Sequence, residues 1–213
     1  MVGSANARAI TDLVETMRKR AESSPLRQII GIVGAPGTGK STFAARVRDE
    51  FAPSACIIVP MDGFHLANNI LDGTPLRARK GAIDTFDARG YISLLRRLRA
   101  QDEDVVYAPA YRRGLEEPIA GSIAVPHATQ FILTEGNYLL ADCEPWNQVR
   151  DYLDLAWFVE TPHVLRLSRI VDRHVRFGME RSVAEAWASG PDQDNARFVE
   201  STKLRADRLV QWE

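Results

Sequence analysis

Gln28–Val33 reads QIIGIV, residues 34–41 follow as GAPGTGKS, and a helical pattern runs from 40 to 51. The first six residues are a short apolar run rich in β-branched side chains, the signature of a buried strand. The next eight satisfy GxxxxGK[ST] in the context that gives that pattern its mechanism, between a strand and a helix. Glycine at 34, 37 and 39 lets the backbone turn tightly, so that successive amides form a concave donor array, and the helix N-terminus adds the positive end of its dipole. Phosphate oxygens fit such a cradle. The reading is a nucleotide-phosphate site built from Gly34, Ala35, Pro36, Gly37, Thr38, Gly39, Lys40 and Ser41, with Thr42 as a weaker contact. Lys40 would reach the β- and γ-phosphates of ATP, and the Ser41 hydroxyl would enter the shell of Mg2+.

Outward from this loop, apolar runs return at 55–61 (ACIIVPM), 130–134 (QFILT) and 153–159 (LDLAWFV), with helical patterns between or after them. Continuous rather than alternating apolar strands, interleaved with helices, predict a mostly parallel sheet covered on both faces. The expected fold is α/β, the three-layer P-loop NTPase arrangement with a helical lid. Ahead of the sheet, Ile10, Leu13, Val14 and Met17 share one helical face within 7–21. Tyr91, Leu94, Leu95 and Leu98 do the same within 87–99, and RLVQW reads as a last strand. The stretch 63–126 is less regular, rich in glycine, proline and arginine, and long for a simple connection, so substrate loops are expected there. The expected organisation is one domain, 1–213, with an N-terminal helical segment 1–26 and a lid region 163–190.

Composition narrows the function. The 213 residues are 45% hydrophobic and 26% charged, as in a compact domain with a substantial core. A formal net charge of −1 supplies no global basic field, although Arg96, Arg97 and Arg99 cluster, so nucleic acid is not the expected partner. Two cysteines, Cys56 and Cys143, cannot build a disulfide framework or a four-thiolate metal site, and a reducing cytoplasm fits. No apolar stretch near the N-terminus resembles a signal-peptide core and none approaches the ~20 residues of a membrane span, so neither export nor a membrane is expected.

In open α/β sheets ligands lie beyond the carboxyl ends of the strands, which gives priority to acidic residues there. Asp62, in MDGFH, follows the ACIIVPM run; Glu135, in TEGNY, follows QFILT. One can serve as a base for an acceptor hydroxyl and the other as a partner of the metal or its waters, or each can simply start a turn.

With GAPGTGKS, MDGFH, RKGAIDTFD and TEGNYLL in this order, the chain from about residue 29 onward resembles the P-loop small-molecule kinases that include uridine kinase, phosphoribulokinase and bacterial pantothenate kinase. It is most similar to the branch known as fructose transport system kinases. The resemblance implies Asp62 as base, Glu135 near metal and acceptor, and the RKG turn (Arg79, Lys80, Gly81) as a substrate-side loop. His65 and Tyr111 are further substrate candidates, the latter in YAPAYRR, where Arg112 replaces the family's usual aspartate or small polar residue. From 163 to 175 arginine recurs at 166, 169 and 173 on one helical face. A lid closing on phosphates could use that face, and the resemblance implies this most directly for Arg169 and Arg173. DQDNA at 192–196 is similar to the family's Asp-x-x-Asn-Ala stretch, where Asn195 would lie near the nucleotide or cap a helix. The implied activity is ATP-dependent transfer to a hydroxyl of a small metabolite, a sugar such as fructose, a nucleoside or a pantothenate-like compound, with a homodimer allowed.

Other readings of a P-loop are a GTPase switch and a regulatory nucleotide binder. DARG at 87–90 formally matches DxxG, but no [NT]KxD motif appears, and STKLR has Arg205 where the aspartate should stand. His127, His163 and His174 have no ligand-spaced partners, Cys56 reads as buried and inert, and the four tryptophans read as packing residues.

Overall fold

The computed structural model describes residues 2–213, with side chains from residue 6 onward. In chain order the first elements are α1 (Val2–Ser23), β1 (Gln28–Val33), α2 (Lys40–Arg48), β2 (Cys56–Ile58), α3 (Asn68–Leu71), α4 (Ala88–Ala100), β3 (Val105–Arg112) and β4 (Glu117–Pro126). There follow β5 (Phe131–Gly136), β6 (Leu155–Glu160), α5 (His163–Arg176), α6 (Arg181–Ser189), α7 (Pro191–Ser201) and β7 (Arg208–Gln211). Five parallel strands form the central sheet in the order β2-β5-β1-β6-β7, the three-layer α/β arrangement expected from the interleaved apolar runs.

The strands are apolar throughout because both faces are covered. Along β1, Ile29 and Val33 join a core with α4 residues Tyr91, Leu94, Leu95 and Leu98, while Ile30 and Ile32 face Leu13, Val14 and Met17 of α1 and Phe43, Ala44 and Val47 of α2. Gly31 lies between them where space runs out: a Cβ there would sit 2.7 Å from Leu153 Cδ1. α4 is capped at its start by Asp87, whose carboxylate accepts from Gly90 N at 2.8 Å, and at its end by Gln101 with φ 51°.

Several boundaries differ from expectation. The strand expected over 55–61 stops at Ile58, because Pro60 has no N–H to extend a ladder and residues Met61–Phe64 turn into a 3-10 helix. Asp62 therefore stands inside that turn rather than directly after the strand. β5 runs on through Gly136, so Glu135 is a strand residue. α2 ends at Arg48, three residues before the pattern's limit. The largest correction concerns 63–126: it contains the antiparallel hairpin β3–β4, a separate two-stranded sheet. Pro109 sits where its register shifts between Ala108 and Ala110, and such an interruption hides the strand period.

Candidate active site

The carboxyl ends of β1 and β5, the Met61–Phe64 turn, the hairpin tip and the α5–α7 segment enclose one cavity of about 730 Å³. Its floor is the glycine-rich loop. Gly37 and Gly39 have φ 83° and 82°, which an L side chain rarely adopts, and α2 starts immediately after at Lys40. Pro36, Gly37, Gly39, Lys40, Ser41 and Thr42 line the cavity. Gly34, Ala35 and Thr38 do not: they shape the loop from behind. A Cβ on Gly34 would lie 2.6 Å from Val159 O, and the Ala35 carbonyl accepts from Thr38 Oγ1 at 2.9 Å and Lys40 Nζ at 3.2 Å.

Lys40 Nζ also donates to Asn137 Oδ1 at 2.9 Å. Burial pulls its pKa below the ordinary lysine value, against the opposing charges of Glu135 and Asp62. Glu135 is buried on β5 and accepts from Ser41 Oγ at 2.8 Å. Burial pushes its carboxyl above the usual range and the charge of Asp62 adds to this, while Lys40 and Ser41 act the other way. Ser41 and Glu135 thus bring two hard oxygen donors together beside the phosphate cradle, the ligand type that Mg2+ takes along with phosphate oxygens and water.

Across the cavity stand the acceptor-side candidates. Asp62 faces in from its turn, and His65 donates from Nδ1 to the Asp62 carbonyl at 2.8 Å. Its ring lies 4.0 Å from Phe86 and 4.6 Å from Tyr111. Burial lowers the His65 pKa, which favours the neutral ring. Lys80 and Tyr111 line the same wall, with Lys80 Nζ 5.5 Å from the Tyr111 ring centre and the Tyr111 hydroxyl donating to Glu116 Oε2 at 2.8 Å. Arg79 is not brought in. It pairs with Asp84 on the surface, and Arg77 lines the cavity in its place, because a 3-10 turn repeats every three residues and so aligns Arg77 with Lys80, leaving Arg79 a third of a turn away.

The arginines of α5 divide. Arg169 and Arg173 line the cavity, and Arg169 Nη1 is buried without a hydrogen-bond partner among the described residues. Arg166 does not share that face's exposure. It is buried, donating to Pro36 O at 3.1 Å and to Gln193 Oε1, so it holds α5 to the loop. Asn195 lines the cavity but meets Gly81 O at 3.4 Å, on the acceptor-side turn, and Gly190 caps α7. Asp192 pairs with His174 at 2.8 Å.

Sequence reasoning passed over Asn137, Arg113 and Trp187. Asn137 follows β5 directly and stands next to the TEG segment that carries Glu135, which is the local signal that could have found it, whereas Arg113 lies in the turn after β3, whose strand period Pro109 interrupts. Trp187, half-buried on α6, lines the cavity, whereas the other three tryptophans are packing residues. Cys56 is buried, its thiol pushed up to about 12 by burial. Among the described residues no group of three or more His, Cys, Asp or Glu is arranged to hold a metal, and no helix is long and apolar enough to cross a membrane.

Comparison with known proteins bears on the family and the fold. The model of the "Phosphoribulokinase / Uridine kinase family" matches residues 29–212. A Schizosaccharomyces pombe protein named "Putative uridine kinase C227.14" is 32% identical over 195 residues, covering 87% of this chain and 83% of that protein. YggC of Escherichia coli is 32% identical over 190 residues, covering 87% and 78%. The crystal structure of a "putative fructose transport system kinase" from Silicibacter sp. TM1040 superposes with a TM-score of 0.80 at 35% identity, covering 92% of this chain and 98% of that one.

Proposed function

The chain belongs to the phosphoribulokinase / uridine kinase family of P-loop kinases, and on that premise we propose that it transfers the γ-phosphoryl group of ATP to a hydroxyl of a small polyol-bearing metabolite. The observation that carries this reading is the presence of Lys40 and Asp62 in one cavity, the lysine on the phosphate floor and the carboxylate on the opposite wall. A protein that only binds nucleotide needs the floor. A kinase also needs a base facing the nucleotide's terminal phosphate, and space for an acceptor between them. About 730 Å³ falls within the roughly 300–1,000 Å³ of small-molecule sites.

In this reading the loop amides and Lys40 orient the phosphates, and Asp62 accepts the proton of the attacking hydroxyl. Ser41 and Glu135 would hold Mg2+, whose chemistry is to neutralise charge on the phosphate oxygens. Arg169 and Arg173 would meet the charge that spreads over the phosphoryl oxygens as it moves. His65, Lys80 and Tyr111 would shape the acceptor subsite. A sugar such as fructose is the first candidate, supported by the name of the Silicibacter relative, and a nucleoside is the second, supported by that of the yeast relative.

The test is a coupled assay of ADP release across fructose, fructose phosphates, uridine, cytidine, pantothenate and ribulose phosphate. ADP formation dependent on one acceptor supports the reading and names the substrate. ATP binding with no acceptor-dependent ADP from any compound of this type would make the protein a nucleotide-binding regulator instead.

A further inference from the structure

We propose that Arg113, at the tip of the β3–β4 hairpin, is a further arginine of the transfer site, donating to the oxygens of the phosphoryl group in flight from the hairpin as Arg173 would from α5. This rests on the kinase reading above. Arg113 faces the cavity that holds Lys40, Asp62 and Arg173, and its Nη2 lies 3.5 Å from Asp62 Oδ2. That contact is looser than the about 2.7–2.9 Å of a strong charge-assisted hydrogen bond, and the side chain is 41% exposed. A guanidinium has five N–H donors in a planar fork, and among the described residues only this one long contact and the Tyr111 face at 6.0 Å engage it. Its donors are therefore available to a ligand at the very place where the base meets the phosphate floor.

The hairpin itself is not free to swing. Gly63, next to Asp62, packs under Pro109 so closely that a Cβ would lie 2.4 Å from the Pro109 carbonyl. At the tip, Glu116 N donates to Arg112 O at 2.9 Å and Gly114 N to Glu116 Oε1 at 3.0 Å, with Gly114 at φ 88° and Glu116 at φ 56°. Arg113 is thus presented by an anchored turn at a fixed reach from Asp62. Its charge is also felt at the centre of the site: it lowers the pKa of Lys40, Glu135 and Arg173 in addition to the effects of burial on each.

The step it would serve is balanced as follows. The acceptor oxygen forms a bond to the γ-phosphorus while the bond from that phosphorus to the β–γ bridging oxygen breaks, leaving ADP. The acceptor's proton passes to Asp62. Arg113 transfers nothing; it gives up its contact with Asp62 and donates to the three equatorial oxygens, where charge is spread in the transition state.

Calorimetric titration of ADP with Mg2+, with and without aluminium fluoride as a stand-in for the moving phosphoryl group, tests this. Aluminium fluoride should tighten ADP binding to the wild-type protein. Arg113→Ala should bind ADP alone as wild type does but lose about tenfold or more of the tightening, Arg113→Lys should recover only part, and Arg112→Ala should lose none. In turnover with fructose, or with water as acceptor, kcat of Arg113→Ala should fall by a similar factor. Equal tightening in wild type and Arg113→Ala overturns the proposal, as does a raised acceptor KM with kcat unchanged, which would make Arg113 a holder of the acceptor. The kinase reading fails by a different result: a wild-type protein that yields no ADP with any acceptor.

Discussion

The two walls of the cavity are built on different principles. The phosphate floor grows out of the central sheet: Gly34 packs on β6, Lys40 opens α2, and Glu135 sits within the β5 ladder, so each functional group lies in a strand or in a regular element joined directly to one. The opposite wall is assembled from turns. Asp62 and His65 come from a 3-10 turn, Lys80 from the end of another, and Tyr111 and Arg113 from a hairpin outside the main sheet. In the kinase reading, chemistry common to all ATP users would be fixed by the scaffold, and selection of an acceptor would fall to segments that can vary without disturbing it.

Removing the floor's charge should have the largest effect. Lys40→Ala is expected to reduce ADP production by about 10³-fold or more, since no other cation in the loop can reach the β- and γ-phosphates. Near-normal turnover would sink the assignment of the loop. Asp62→Asn probes the other wall: transfer should fall by about 10²- to 10⁴-fold while ATP affinity by calorimetry changes little. Loss of ATP binding as well would move Asp62 into the metal site and erase the division between the walls.

Gly63→Ala should separate the walls by packing alone. Its Cβ would meet the Pro109 carbonyl, so the hairpin must shift, at a cost of about 1–3 kcal/mol of stability in denaturant titrations. Acceptor KM should rise while nucleotide affinity stays. An unchanged KM would mean that the hairpin's position does not shape the acceptor site.

The smallest effect is expected from Glu135→Gln on stability, and it has a defined sign. Burial and Asp62 raise the Glu135 pKa above that of the unfolded chain, so its protonated form is favoured in the native state. The stability it contributes is complete below the unfolded value of about 4.3 and is lost as pH rises through the folded pKa. Glutamine mimics the protonated form, so the variant should melt slightly higher than wild type at pH 7 and equally near pH 4, even as its magnesium requirement for turnover changes. A lower Tm at pH 7 would show that the pairing with Lys40 outweighs the burial.

The contrast between the walls also explains what could be read from the sequence. QIIGIV, GAPGTGKS and the α4 face were legible because apolar period and glycine spacing are local, and they appear in the fold at or near the expected residues. The hairpin was missed since Pro109 interrupts β3 and Gly121 falls within β4. Arg79 belongs to the RKG motif yet faces the surface, because the motif does not disclose that Pro75–Arg79 is a 3-10 turn, whose three-residue period decides which side chains face inward. Arg166 shares a helical face with Arg169 and Arg173, and only the packing of α5 on the loop distinguishes a fully buried tie from two half-buried cations that line the cavity.

If α5 moves as a lid, that tie would give it the mechanics of a lever with a fixed fulcrum. Arg166 fastens the first turn of α5 to Pro36, and the Arg166 carbonyl would lie 2.6 Å from a Cβ on Gly37, leaving no clearance between helix and loop at this point. Any swing of α5 must pivot there, so displacement grows with distance along the helix. At 1.5 Å per residue Arg169 sits about 4–5 Å from the fulcrum and Arg173 about 10 Å. The first arginine would stay close to the phosphates through any such stroke, and the second would travel roughly twice as far, closing last.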